Sequence, residues 1–104
     1  MAAAFLERKG LKVLARNFRV RGGEIDLVCE ENAGFVFVEV RLRTNQAFGG
    51  AGASVDGRKQ ARLILAARHW LAVHGERDCR FDCVLMDRLD DTAVTWVRNA
   101  FTAD

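Results

Sequence analysis

The stretch from Gly22 to Arg43, GGEIDLVCEENAGFVFVEVRLR, constrains the fold of this chain more than any other. Two runs rich in β-branched and aromatic residues, Glu24 to Cys29 and Phe35 to Leu42, flank Glu-Asn-Ala-Gly, which is the pattern of a β-hairpin. A turn centred between Asn32 and Ala33 predicts Asp26 opposite Glu39 and Glu24 opposite Arg41. Strand alternation then places Glu24, Asp26 and Val28 on one face with Phe37, Glu39, Arg41 and Arg43. It leaves Ile25, Leu27, Val36, Val38, Val40 and Leu42 as a purely apolar second face. Carboxylates directly opposed on neighbouring strands start only about 4.5 to 5.5 Å apart and repel each other. A cation between them removes the objection. Hard divalent ions such as Mg²⁺ take one or two carboxylates plus water and phosphate oxygens, so Asp26 and Glu39 are candidate metal ligands, with a backbone carbonyl near Val40 as a third oxygen.

The chain has 104 residues, half of them hydrophobic, enough for one core and too few for two. We expect residues 1–104 to form a single α/β domain in the order α-β-β-β-α-β-β. Ala2 to Lys9 has helix formers closed by Gly10, and Leu11 to Val20 mixes apolar residues with bases as an edge strand does. Thr44 to Gly57 holds four glycines and reads as a loop ending in a helix cap at Ser54 or Asp56. From Asp56 to Val73 a helix gathers Leu63, Ile64, Ala67, Trp70 and Leu71 on one face and Arg58, Arg62 and His69 on another. Two strands follow, Arg80 to Asp87 and Ala93 to Val97, joined by Arg-Leu-Asp-Asp. Trp70 is expected in the core, and Arg80 with Asp82 as a structural pair.

The net charge of +2 conceals a partition. Met1 to Gly22 has six bases and one acid, Gly23 to Val40 five acids and no base, and Arg41 to Arg77 seven bases and two acids. Basic segments on both sides of an acidic hairpin suit a phosphate-binding surface around a metal centre. His69 and His74 lie five apart on the helix and do not converge, and no Ser or Cys has a His-acid partner pattern for nucleophilic catalysis. Cys29, Cys79 and Cys83 lack C-x-x-C spacing and read as reduced thiols of a cytoplasmic protein. No apolar run reaches the roughly 20 residues of a membrane span, and the N-terminus lacks signal-peptide polarity.

GEIDLV, VFVEVRLR, the Phe48-Gly49-Gly50 loop, Arg80-Phe81-Asp82 and Asn99-Ala100-Phe101 together resemble the UPF0102 (YraN-like) family of small bacterial proteins. The resemblance spans nearly the whole chain. It implies a restriction-endonuclease-like mixed sheet, similar to that of Holliday-junction resolvases, and the PD-(D/E)-x-K nuclease motif. By position, Asp26 matches the first acid of that motif, Glu39 the second and Arg41 the lysine, with Glu24 as the preceding acid. Arginine cannot act as a base, although it can orient water or hold a phosphate oxygen. The family usually carries a further acid on the first helix, upstream of Met1, so the N-terminal helix is expected to be truncated here.

The implied function is a Mg²⁺- or Mn²⁺-dependent endonuclease acting on DNA, with branched or Holliday-junction DNA as a substrate class. Asp26 and Glu39 would hold the metal, Glu24 a second ion or Arg41, and Arg41 the phosphate or attacking water. Arg43, Arg58, Lys59 and Arg62 would contact nucleic-acid phosphates, Lys59 aided by the helix N-terminus. Phe48 is the one candidate wedge for branched DNA. Symmetric cutting of a four-way junction needs two sites, hence a homodimer. Two other classes compete: a nucleic-acid-binding module without turnover, and an adaptor whose basic surface meets an acidic partner.

Overall fold

In the computed structural model, which describes residues 2–43, 55–87 and 90–103, the hairpin is the centre of a five-stranded sheet. Helix α1 (Ala2–Arg8) precedes β1 (Lys12–Val20), β2 (Gly23–Glu31) and β3 (Gly34–Arg43). Helix α2 (Gly57–His74) then leads to β4 (Cys79–Asp87) and β5 (Asp90–Phe101). The strands lie in the order β1-β2-β3-β4-β5, with β3 and β4 parallel and every other neighbouring pair antiparallel. The expected α-β-β-β-α-β-β order is what the chain adopts. Among the described residues no helix is long and apolar enough to cross a membrane.

Each face of the sheet has its own core. Helix α2 covers Ile25, Val28, Phe35, Phe37, Phe81, Cys83 and Leu85, while Leu27, Cys29, Val36, Val38, Val84 and Met86 pack with Ala2, Ala3 and Leu6 of α1. A seven-residue helix has little stability of its own, and α1 is held by those three buried residues. It stops at Gly10, whose φ of 98° turns the chain so that the Leu11 amide donates back to the Leu6 carbonyl at 3.1 Å.

Helix α2 starts where its first free amides meet an acceptor. Asp56, one of the two caps expected, takes an extended conformation and its Oδ1 accepts from the Lys59 amide at 2.9 Å. Trp70 is buried in the core as expected, with Phe18 and Phe35 edge-on to it and His74 stacked at 3.6 Å. Of the expected apolar face, Leu63, Ala67 and Trp70 are buried, while Ile64 and Leu71 flank the core and Ala66 is buried in their place. Ala66 is central because the helix backbone lies directly on β2. A Cβ on Gly23 would fall 2.5 Å from the Arg62 carbonyl oxygen and 3.2 Å from the Ala66 nitrogen.

Two expectations need correction. Strand β5 runs from Asp90 to Phe101 and not only from Ala93 to Val97. The polar residues Arg98 and Asn99 disguise its second half. Asn99 has a φ of 52°, the ladder shifts register between Phe81 and Cys83, and the strand continues until Phe101 stacks on Phe81 at 4.7 Å. The hairpin faces also depart from strict alternation. Ile25 packs with Val28 under α2, while Leu27, Val36, Val38 and Val40 of the expected apolar face pack on the α1 side. The break falls beside Asn17 of β1, which has a φ of 52°. The expected cap at Ser54 and the Phe48 wedge lie outside the described residues.

The β2–β3 turn and the α2–β2 contact make two stability predictions. Asn32 (φ 51°) and Ala33 (φ 68°) form a two-residue turn in which both residues have positive φ, and alanine is strained there. Ala33→Gly is therefore expected to stabilise the protein by up to about 1 kcal/mol in denaturant unfolding. Gly23→Ala is expected to destabilise it by about 1 to 3 kcal/mol, because the obstacle is helix backbone and cannot swing aside.

Candidate functional site

The hairpin pairs Leu27 with Val38, Val28 with Phe37 and so on to Glu31 with Gly34, in the register expected from the turn. Away from the turn the ladder ends at Leu27 and Val38 and does not continue to Asp26 and Glu39 as a regular pair. In its place the Asp26 carboxylate accepts from the Val40 amide, at 2.8 Å from Oδ2. A side chain thus takes over a backbone acceptor's part, and the strands separate beyond it. Glu24 consequently does not face Arg41. It lies 3.4 Å from Arg19 Nε on β1 and 3.6 Å from Arg62 on α2.

The separation opens a cleft of about 260 Å³ between the hairpin and the first turns of α2, lined by Glu24, Asp26, Glu39, Val40, Lys59, Arg62 and Leu63. Five of the residues singled out from the sequence therefore meet. Glu39 lies on the α2 side of β3, hydrogen-bonded to the Asp26 carboxyl, with Lys59 Nζ 3.5 Å from its Oε2. Its side chain is only 12% exposed. Burial, then the hydrogen bond and repulsion with Asp26, push the Glu39 carboxyl up to about 7 against the pull of Lys59. The raised Glu39 carboxyl eases the repulsion that two fully ionised acids would suffer, without a metal.

Arg41 follows Glu39 on the same side of β3, and its charge acts on Asp56 at the α2 cap and on Cys83. Arg58 and Arg62 are exposed on α2. Arg43 ends β3, and its side chain lies outside the described residues. Neither histidine lines the cleft: His69 is exposed, and His74 Nδ1 is 3.1 Å from the Trp70 carbonyl. Among the described residues no group of three or more His, Cys, Asp or Glu side chains is placed to hold a metal, and the three cysteines are unpaired.

Nothing in the residue pattern signals that Lys59 reaches Glu39 or that Arg19 reaches Glu24. Both contacts depend on α2 lying close over β2, and the signal that could have shown this is Gly23 just before the first acid. The Arg80–Asp82 pair is structural, as expected, and belongs to a larger cluster. Asp82 has no exposed side-chain surface, and it accepts from Arg80 Nε at 3.0 and 3.1 Å, Trp96 Nε1 at 2.9 Å and the Asn99 amide at 3.0 Å. A buried carboxylate with that many donors is committed to holding the fold together.

The raised Glu39 makes a pH prediction. A folded value near 7 against an ordinary 4.5 favours the folded state while the group is protonated. That stability is fully present below about pH 4.5 and is lost as pH rises through 7. The metal-free protein is expected to lose on the order of 3 kcal/mol over this window. Glu39→Gln should flatten that part of the profile in unfolding experiments between pH 5 and 8, and wild-type behaviour in the variant would contradict the assignment.

Comparison with known proteins places this arrangement in a family. Residues 1–86 match the model of "Uncharacterised protein family UPF0102". A UPF0102 protein from Dechloromonas aromatica is 54% identical, over 99% of this chain and 83% of the relative. One from Methylobacillus flagellatus is 48% identical over 99% and 91%, and one from Nitrosomonas europaea 52% identical over 96% and 86%. On a family match over most of its length and relatives near half identity, this chain belongs to the UPF0102 family.

Proposed function

We propose that this protein is a metal-dependent nuclease that cleaves DNA phosphodiester bonds, with branched or four-way junction DNA as the substrate class to test first. The observation that carries this reading is the Asp26–Glu39 carboxyl pair in a cleft whose other wall presents Lys59 and Arg62. Two adjacent carboxyls, with Glu39 raised by burial and by Asp26, form a site that a divalent cation can take over. The donor set is all oxygen and counts two carboxylates, because Glu24 is engaged by Arg19 and Arg62. That fits Mg²⁺ or Mn²⁺, which keep waters and accept substrate phosphate, and it does not fit a four-ligand zinc site.

A divalent ion held by Asp26 and Glu39 would supply Lewis acidity and a bound water of lowered pKa. The protein's own groups bind and orient the substrate. Arg62 faces the cleft while Glu24 fixes its guanidinium, and Arg19 continues the basic wall onto β1. Exposed Arg16, Arg21 and Arg58 extend the surface along which a phosphate backbone can track. Contacts of this kind position DNA without reading its sequence. Arg41 adds a fixed positive charge behind the acid pair, and two such sites in a homodimer would suit a symmetric junction.

The competing reading, a DNA-binding module without turnover, draws on Arg41 at the position where the resembled motif has lysine. Incubation of linear, flapped and four-way DNA with Mg²⁺ or Mn²⁺ separates the two. The nuclease reading expects cleavage that Asp26→Asn and Glu39→Gln abolish while DNA binding remains. Arg58→Ala or Arg62→Ala should weaken binding and lower its salt slope by about one. Metal-independent binding with no product from any substrate would support the silent module.

A further inference from the structure

We infer that Lys59 on α2, and not Arg41 on β3, is the cation that touches the scissile phosphate beside the acid pair; this deepens the nuclease reading and rests on it. Lys59 Nζ is 3.5 Å from Glu39 Oε2, and both side chains line the cleft with Asp26. The backbone holds it there from two sides. Asp56 Oδ1 takes the Lys59 amide at 2.9 Å, and one turn further the helix backbone rests on Gly23, with no room for a Cβ. The lysine therefore projects from a main chain that is fixed relative to β2. Its side chain is 47% exposed against 12% for Glu39, which puts the ammonium at the mouth of the site and the carboxyl inside it.

Ammonium chemistry suits this position. It carries three donors on a rotatable compact charge, so an interaction with Glu39 leaves others for non-bridging phosphate oxygens. Lys59 and a divalent ion compete for Glu39. With a divalent ion held by Asp26 and Glu39, the Lys59 ammonium would be repelled from Glu39 and its donors would be left for the phosphate. The residue exchanges no proton in this role. Arg41 is placed differently: it is not among the residues that line the cleft, whereas Lys59 is.

The test uses the full chain as wild type, Lys59→Met, Lys59→Arg and Arg41→Met, each checked for folding by thermal unfolding. Mn²⁺ binding is measured alone by calorimetry, and cleavage of four-way DNA is measured with Mn²⁺. Lys59→Met is expected to bind Mn²⁺ roughly tenfold more tightly, because a competing positive charge is gone. It should also cleave about 100-fold more slowly or worse, as when one stabilising donor is lost from a transition state. Lys59→Arg should recover part of that loss, and Arg41→Met should stay within about tenfold of wild type. Unchanged or weaker Mn²⁺ affinity in Lys59→Met overturns the inference, as does an Arg41→Met loss equal to that of Lys59→Met. Cleavage by wild type and Lys59→Met at the same rate overturns the Lys59 assignment alone. Absence of cleavage by the wild type on every substrate overturns the nuclease reading and this assignment with it.

Discussion

The hydrogen bond from the Val40 amide to Asp26 is the interaction on which the candidate site depends. In a regular antiparallel ladder that amide would bond to a carbonyl of β2, and the strands would run on side by side. With a carboxylate as acceptor, the amide is still satisfied, so the protein avoids the penalty of an unpaired buried donor. The backbone of β2 is meanwhile released to leave β3. The gap between the strands, the cleft above it and the contact between Asp26 and Glu39 all follow from that exchange.

The sheet holds two enclosed acids with opposite character, Asp82 and Glu39. Asp82 sits on the α1 side amid donors from β4 and β5, and Arg80 is itself held by Glu31 at 2.7 Å. Its charge is compensated on every side, and it ties the edge strand β5 to β4 across an irregular register. Glu39 is nearly as enclosed but has an acid as its closest partner and a half-exposed lysine at a longer distance. Burial alone does not distinguish the two; the number of donors facing the carboxyl does. The first arrangement stabilises the fold, and the second leaves a group ready to exchange its proton or take a cation.

Helix α2 connects the fold to the site. Its apolar face is committed to the core through Leu63, Ala66, Ala67 and Trp70, and its first two turns deliver Lys59 and Arg62 to the acids. Because Gly23 lets the helix backbone touch β2, the basic groups reach the cleft without long unsupported side chains. Packing and function use the same contact here, and the amphipathic pattern of one helix serves both.

Much of this was legible in the residues themselves. Turn chemistry at Asn32–Ala33 and the alternation of Phe35, Phe37 and their neighbours determined the hairpin and its register, because those are local preferences that act over a few residues. The cap at Asp56 and the apolar stripe through Trp70 determined α2 in the same way. From these alone Asp26 and Glu39 could be brought near each other. What the pattern did not contain was the end of the ladder at Leu27 and Val38, the departure of Ile25 from its expected face, or the length of β5 beyond Val97. The first and last rest on bonds between distant residues, Val40 with Asp26 and Asn99 with Asp82, and the second falls beside Asn17 of the neighbouring strand. The partners of the acids were likewise decided in three dimensions, since Lys59 and Arg19 come from segments 20 residues after Glu39 and five before Glu24. Strand periodicity sets which residues are neighbours along one element, whereas the charge that meets a given carboxylate is set by how closely two elements pack, and here that distance is governed by Gly23.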